Sequence, residues 1–454
     1  MIIPLGVSDT ELPSENISRI RLRNTYLIEN PQSPDKLTRV SRPTLTRYFS
    51  LSGGPINGLW RQPGSIGSKW LVLSGEMLYT FDGISTNYLG RIPGTGRATF
   101  SGNILKALIL RDGSVYSTDG NNLLSVAIPD SQLIDSIGCI DSVFILTVKD
   151  SQVFYWMNPE EITPDPLSFA SVERTPDAVT TVAIASDEVW FIGTSSTEVW
   201  QQTGNQDAPY QRIAGRAYSD GCVDRDTVCV SNYNGYPCIV WVTDKKFVVM
   251  AQGNPVKVSN PTVEEFLSDA TNLTAWMFKS NKNTFYVLSS DEKTYVYDLD
   301  MKTWSRWDSF NSEKWRAQCG LQVDRKVYAG DSESGTIFFL DEGVSDDGDP
   351  VIREVSGWLP ITDKHVTCKS INVRVNPGWG SSYTEEQLLE MRFSDDGGET
   401  FSEYQQVSLG LRGRYDSDVT FRSLGMMYRP GRDFEFRFSG VARFRLDYAT
   451  VNEV

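Results

Sequence analysis

The stretch "SKWLVLSGEMLYTFDGISTNYLGRI", Ser68–Ile92, decides how the rest of the chain is read. Lys69–Leu73 is an apolar run, Ser74 and Gly75 mark a turn, and Met77–Phe81 is a second run. Asp82 and Gly83 turn the chain again before Thr86–Leu89. Short runs of aliphatic and aromatic residues between Ser-Gly and Asp-Gly turns predict a meander of antiparallel strands. A sheet this small cannot cover its own two faces.

The same plan recurs along the chain. "ILKALILRDGSVYSTDGNNLLSVAI" begins at Ile104, "SVFILTVKDSQVFYWMN" at Ser142 and "VTTVAIASDEVWFIGTSSTEVWQQ" at Val179. "RDTVCVSNYNGYPCIVWVTDKKFVVMAQG" follows from Arg225, "NTFYVLSSDEKTYVYDLDMKTWSRW" from Asn283, and "RKVYAGDSESGTIFFLDEG" near Lys326. The starts lie about 35–50 residues apart, the repeat length of propeller blades. Arranged radially, such sheets cover one another and leave only short edges. The expectation is an all-β fold: a β-propeller of six or seven blades with a small C-terminal antiparallel β-rich region. Trp190, Trp200, Trp241 and Trp304 are expected between blades. The domain plan is residues 1–55 as an N-terminal arm with first strands, 56–343 as propeller, and 344–454 as a β-rich region that closes or extends it. The break is marked by the charged loop "EGVSDDGDPVIREVSGW", Glu342–Trp358. The best helix candidate is Thr262–Ala270, with Thr262 as its cap.

Composition bounds the function. The 454 residues carry a net charge of −15, which argues against gripping nucleic acid through its phosphates. The N-terminus lacks the basic start and long apolar run of a signal peptide. No stretch reaches the roughly 20 apolar residues of a membrane helix. The six cysteines form no C-x-x-C pair, so neither a zinc ribbon nor a disulfide scaffold is indicated, and they are read as reduced and mostly buried.

Catalytic kits are missing or incomplete. The one histidine, His365, rules out any site with two histidine ligands. It is read as a hydrogen-bonded strand residue. Gly-Lys never occurs, and there is no G-x-S-x-G elbow. "GTGRAT", Gly94–Thr99, lacks the third glycine of a dinucleotide loop and joins two strand units. Asp331 and Glu333, and Asp341, Asp346, Asp347 and Asp349, follow no calcium-loop spacing and are read as solvated turn carboxylates. "RFSDDGGETF", Arg392–Phe401, contains one S-x-D-x-G-x-T-F aspartate box through Ser394, Asp396, Gly398, Thr400 and Phe401. Sialidase-type propellers repeat this box, and even there it builds a turn. The reading therefore assigns no catalytic, cofactor-binding or metal-binding residue and no cofactor, and the chain is expected not to be an enzyme.

The C-terminal segment carries a resemblance. "SDDGGETFS" (394–402), "LGLRGRYDSDVTFRSLGMMYRPGRDFEFRFSG" (409–440) and "RFRLDYATVNEV" (443–454) resemble the packaged-DNA stabilisation, or tail nozzle, proteins of short-tailed phages. "GDSESGTIFFLD" (330–341) and the opening "RNTYLIENPQSPDKL" (23–37) and "SRPTL" (41–45) are similar to the same family. The resemblance implies a virion structural protein made in the host bacterial cytoplasm. It implies a six-fold homo-oligomeric ring in the head-tail connector, below the portal and adaptor. Tail fibres or spikes would attach to the ring, and double-stranded DNA would pass its lumen without sequence-specific binding or any membrane segment. Such a ring extends and closes the DNA channel, retains the packaged genome and takes part in DNA ejection. The basic stretches Arg19–Arg47 and Arg412–Arg445 would then face protein partners, or pair across strands with Asp416, Asp418, Asp433 and Glu435. The competing expectation is a propeller glycan hydrolase or glycan-binding tail protein.

Overall fold

Every meander read from the sequence forms, and each blade is completed by strands that the repeat leaves unmarked. Trp70–Ser74, Met77–Phe81 and Thr86–Arg91 are consecutive antiparallel strands. Ile56–Trp60 pairs with the first of them as an innermost fourth. The computed structural model describes residues 1–10, 20–205, 208–362, 365–375, 387–410 and 417–453. Blades one to five are the four-stranded sheets at 56–91, 99–125, 134–171, 179–218 and 229–257. Blade six, at 274–306, is one end of a nine-stranded sheet. Blade seven, at 317–341, takes its outer strand from Thr44–Ser50, which pairs antiparallel with Thr336–Asp341. Six blades are thus self-contained sheets, and the remaining sector of the ring is shared with a second body.

Seven apolar clusters fill the seams between successive blades. Trp200 packs in the seam of blades three and four, Trp190 and Trp241 between four and five, and Trp304 between five and six. The innermost strands crowd around the axis. A Cβ on Gly320 would stand 2.0 Å from the Trp276 ring, and one on Gly102 would stand 2.6 Å from that of Trp60. The helix spans Pro261–Asp269, and its cap is Asn260 rather than Thr262. Asn260 Oδ1 accepts from the Val263 amide at 2.9 Å, and Pro261 starts the helix where no amide donor is needed.

The second body is a β-sandwich built from both ends of the chain. One sheet combines Ile2–Ile3, Thr25–Glu29 and Leu37–Ser41 with His365–Val375, Ser417–Arg422, Met426–Tyr428 and Arg445–Glu453. The other is the far part of the nine-stranded sheet: Leu22–Arg23, Arg353–Pro360, Gly431–Phe438, Gln387–Ser394 and Gln405–Gly410. Val355, Ile371, Val373, Phe434, Phe436 and Leu446 are among the residues packed between them. Leu22–Arg23 is the hinge pin of the architecture. It runs parallel to Thr303–Arg306 of blade six and antiparallel to Arg353–Pro360 of the sandwich.

A buried polar hub surrounds this strand. All five N–H donors of the Arg42 guanidinium are engaged: Nε to Asn24 Oδ1 (2.7 Å), Nη1 to Pro43 O (2.8 Å) and Asp346 Oδ1 (3.1 Å), Nη2 to Asp308 O (2.7 Å) and Asp346 Oδ2 (2.5 Å). Asn24 donates to Asp308 Oδ1 at 2.6 Å and to Ile352 O at 2.8 Å. Arg353 is fully buried next to the hub, bonded to Ser41 Oγ and to the Val344, Val351 and Gly440 carbonyls. Burial pulls its pKa down to about 9.

Removing one member of a buried, fully bonded pair leaves the other charge stranded, at about 3–5 kcal/mol. Arg42→Met is therefore expected to lower stability by about that amount in urea unfolding. Arg42→Met with Asp346→Asn should cost less than the sum of the two single changes. An additive double variant would contradict the pairing.

Candidate functional site

A propeller's axis is the usual place for a ligand, and here it is obstructed. The Arg97 side chain leaves the connector between blades one and two and donates to Ala275 O of blade six at 2.8 Å. Arg225, ahead of blade five, donates to Asp135 O in the innermost strand of blade three at 2.5 Å. The space inside the inner strands divides into two chambers of about 340 and 400 Å³ that share Arg97 and Asp226 as walls. Side-chain bonds that bridge facing blades leave no open bore for a DNA duplex. "GTGRAT" is part of this closure: the Thr95 amide is held by Asp112 Oδ2 at 2.9 Å, and Gly96 O accepts from Arg111 Nε at 2.9 Å.

The aspartate box lies in the sandwich, not between blade strands. It turns the chain between Gln387–Ser394 and Gln405–Gly410. Ser394 Oγ donates to Asp396 Oδ1 at 2.6 Å and accepts from the Gly398 amide at 2.9 Å. Asp396 accepts from the Glu399 and Thr400 amides at 3.1 and 2.9 Å and from the Thr400 hydroxyl. Gly397 and Gly398 supply φ values of +75° and +87°. The Ser394 hydroxyl, followed by Thr400, holds the Asp396 pKa down at about 2. A carboxylate locked in its ionised form is a turn former and a poor proton donor, the opposite of a glycosidase acid. Arg392 stacks over Phe401 at 4.3 Å and over Tyr404 at 4.8 Å.

Beside the box, the Tyr404 hydroxyl donates to Glu435 Oε1 at 2.7 Å. Burial, and then Glu435 itself, push the Tyr404 pKa up, so the phenol stays protonated. Glu435 is buried and held by Arg392 at 2.8 and 3.0 Å. This cluster is a cross-strand charge ladder. Arg437 stands opposite both Glu354 and Glu390, and Arg392 stands opposite Glu435. Burial also raises the thiol pKa to about 11 at Cys139 and about 12 at Cys222 and Cys238, which leaves these thiols protonated and unreactive.

Several acidic and basic residues fall in places the sequence does not reveal. Asp331 and Asp346 are not solvated turn carboxylates. Asp331 is buried and bridged to Arg316 Nη2 at 2.6 Å, and Asp346 is the buried partner of Arg42. Asp347 does pair at the surface, with Arg47 at 2.6 Å. Arg39 and Arg42 do not face partners, since both side chains are fully buried. Asp418 pairs with Arg374 at 3.1 Å. Arg19, Arg412 and Asp416 lie outside the described residues. His365 is exposed on a strand, opposite Tyr428. Among the described residues no group of three or more His, Cys, Asp or Glu side chains could hold a metal ion. Arg97 and Arg225, which obstruct the axis, were not singled out by sequence. They sit in connectors of ordinary composition, and only the ring brings them together.

Comparison with known proteins gives one family. "Bacteriophage P22 Gp10, beta-propeller" matches residues 43–345. The match begins one residue before the closing strand Thr44–Ser50 and ends just after blade seven. No curated protein matches the chain. Among solved structures, the designed protein Ika8 is 12% identical over 65% of this chain and 99% of its own, with a TM-score of 0.41. The Cps50 (Swd1) β-propeller domain of Myceliophteria thermophila is 8% identical over 65% of this chain and 99% of its own, with a TM-score of 0.43. The extracellular domain of a one-component system from B. thetaiotaomicron is 8% identical over 86% of this chain and 60% of its own, with a TM-score of 0.45.

The depressed Asp396 pKa has a defined sign. The stability it lends is present above the unfolded value of about 4 and is lost as pH falls through about 2. Asp396→Asn should lower the melting temperature at pH 7, and the gap to wild type should shrink between pH 4 and pH 2. A gap independent of pH in thermal melts would contradict the turn assignment.

Proposed function

The chain belongs to the bacteriophage P22 Gp10 β-propeller family and is a phage structural protein, and from that premise we propose that it is a subunit of the tail nozzle. In this reading, six copies form a ring below the portal and adaptor. The ring continues the DNA channel, closes it after packaging and opens it for ejection. Fibres or spikes attach outside it, and the reading assigns no catalysis to the chain. The observation that carries it beyond family membership is the obstructed axis: a conduit for DNA has to run between copies and not through one. Each propeller then serves as a solid wedge of the ring wall. A net charge of −15 suits a lumen that lets DNA slide past without adhering.

Imaging of intact phage particles tests this. A six-fold ring of this chain beneath the connector is expected. Particles lacking the chain should package DNA and then lose it, read as a drop in genome content after nuclease treatment. Finding the chain only at the tail periphery, or stable genome retention without it, would overturn the proposal.

A further inference from the structure

Two surfaces on this chain are apolar at their centres and opposite in charge at their rims. The first lies across blades two and three. Leu105, Leu124 and Ile162 line a groove of about 480 Å³ together with Asp119, Pro159 and Glu160. Ile162 and Leu124 are 68% and 55% exposed, and Leu167, five residues beyond Ile162, is 83% exposed. Scattered surface leucines are ordinary, but apolar side chains gathered along one groove mark an interaction surface. The rim is acidic. Asp119 and Glu160 are the acids that line it. Lys106, the one cation in the lining, is bonded to Glu161 O.

The second surface is on the sandwich. His365, Thr367 and Lys369 alternate outward on one strand, and Tyr428 and Met426 stand opposite the first two. Residues directly opposite in a ladder share a face, so these side chains form one patch. Tyr428 and Met426 are 50% and 47% exposed. Its rim is basic. Lys369 lies on the patch strand, and Arg422, opposite Ser370, and Arg429, next to Tyr428, are exposed.

The sandwich joins the ring of blades at blade six, and the seam of blades two and three is halfway round from it. We propose that the surfaces mate between copies: the basic, apolar sandwich patch of one chain seats in the acidic groove on blades two and three of the next. This inference rests on the ring reading above and names the contact that builds it. A second copy is the occupant because the chain itself supplies both complements, apolar centre to apolar centre and acidic rim to basic rim. A contact between two different surfaces is head-to-tail. It leaves one groove and one patch free at the ends of any open chain until a ring closes. Apolar centres give such a contact its hold, and the rims fix its partner and orientation.

The test uses the full chain assembled in phage particles. In Ile162→Cys/Met426→Cys, a short bismaleimide is expected to join copies into a ladder on denaturing gels. Neither single variant should do so, which controls for the native cysteines. Glu160→Lys is expected to reduce incorporation into particles about tenfold, and Lys369→Glu in the same chain to restore it. Unchanged melting temperatures would establish that both charge variants fold. A ring visible in particles whose copies neither cross-link through these positions nor respond to Glu160→Lys would overturn this contact while leaving the nozzle reading intact. Absence of any ring of this chain would overturn both.

Discussion

The buried guanidinium of Arg42 is the contact on which the two-body architecture depends. Its five donors reach an N-terminal strand through Asn24, the chain after blade six through Asp308, and the linker after blade seven through Asp346. These segments are far apart in sequence, and all must be in place before the charge is satisfied. Such a pair adds little net stability over an apolar one of the same shape, but it penalises every arrangement in which a partner is missing. The consequence is a defined geometry between propeller and sandwich. Asn24 reinforces it in an uncommon backbone state, φ +52°, which asparagine tolerates better than most residues.

The route of the first fifty residues follows from this. Ile2–Ile3 joins the sandwich, Leu22–Arg23 bridges the two bodies, Thr25–Glu29 and Leu37–Ser41 return to the sandwich, and Thr44–Ser50 closes blade seven. Closing a propeller with a strand from the other end of the chain makes the ring a cooperative unit, since no terminal blade can peel away without breaking a ladder. The sandwich closes in the same way, drawing on residues near both ends.

Much of the propeller was legible because strand pairs two to three of each blade are apolar, aromatic and separated by Gly, Asp and Ser turns. The innermost strands were not legible where glycine and small polar residues replace that pattern, as in "TFSG" and "IDSIGCI". Crowding at the axis dictates those small residues, so the property that positions them also erases their signal. Asp331 and Asp346 failed for a related reason. Local sequence shows a turn rich in carboxylates, and only tertiary structure brings Arg316 and Arg42 to them. The aspartate box was read well as a turn because all its bonds are local, spanning Ser394 to Thr400. The sandwich contribution of the N-terminal strands was hidden, because pairing between distant segments leaves no trace in either one alone.

Obstruction of the axis and attachment of the sandwich at blade six shape the same ring. Arg97 and Arg225 tie blades across the centre, which stiffens the disc against opening. With the bore bridged, the surfaces left for contact are the rim and the faces. Apolar side chains are uncovered on several blades, Ile84 on blade one, Leu124 and Ile162 on two and three and Tyr236 on five, and the sandwich attaches at blade six. Ties of this kind across the centre oppose relative motion of the blades they join.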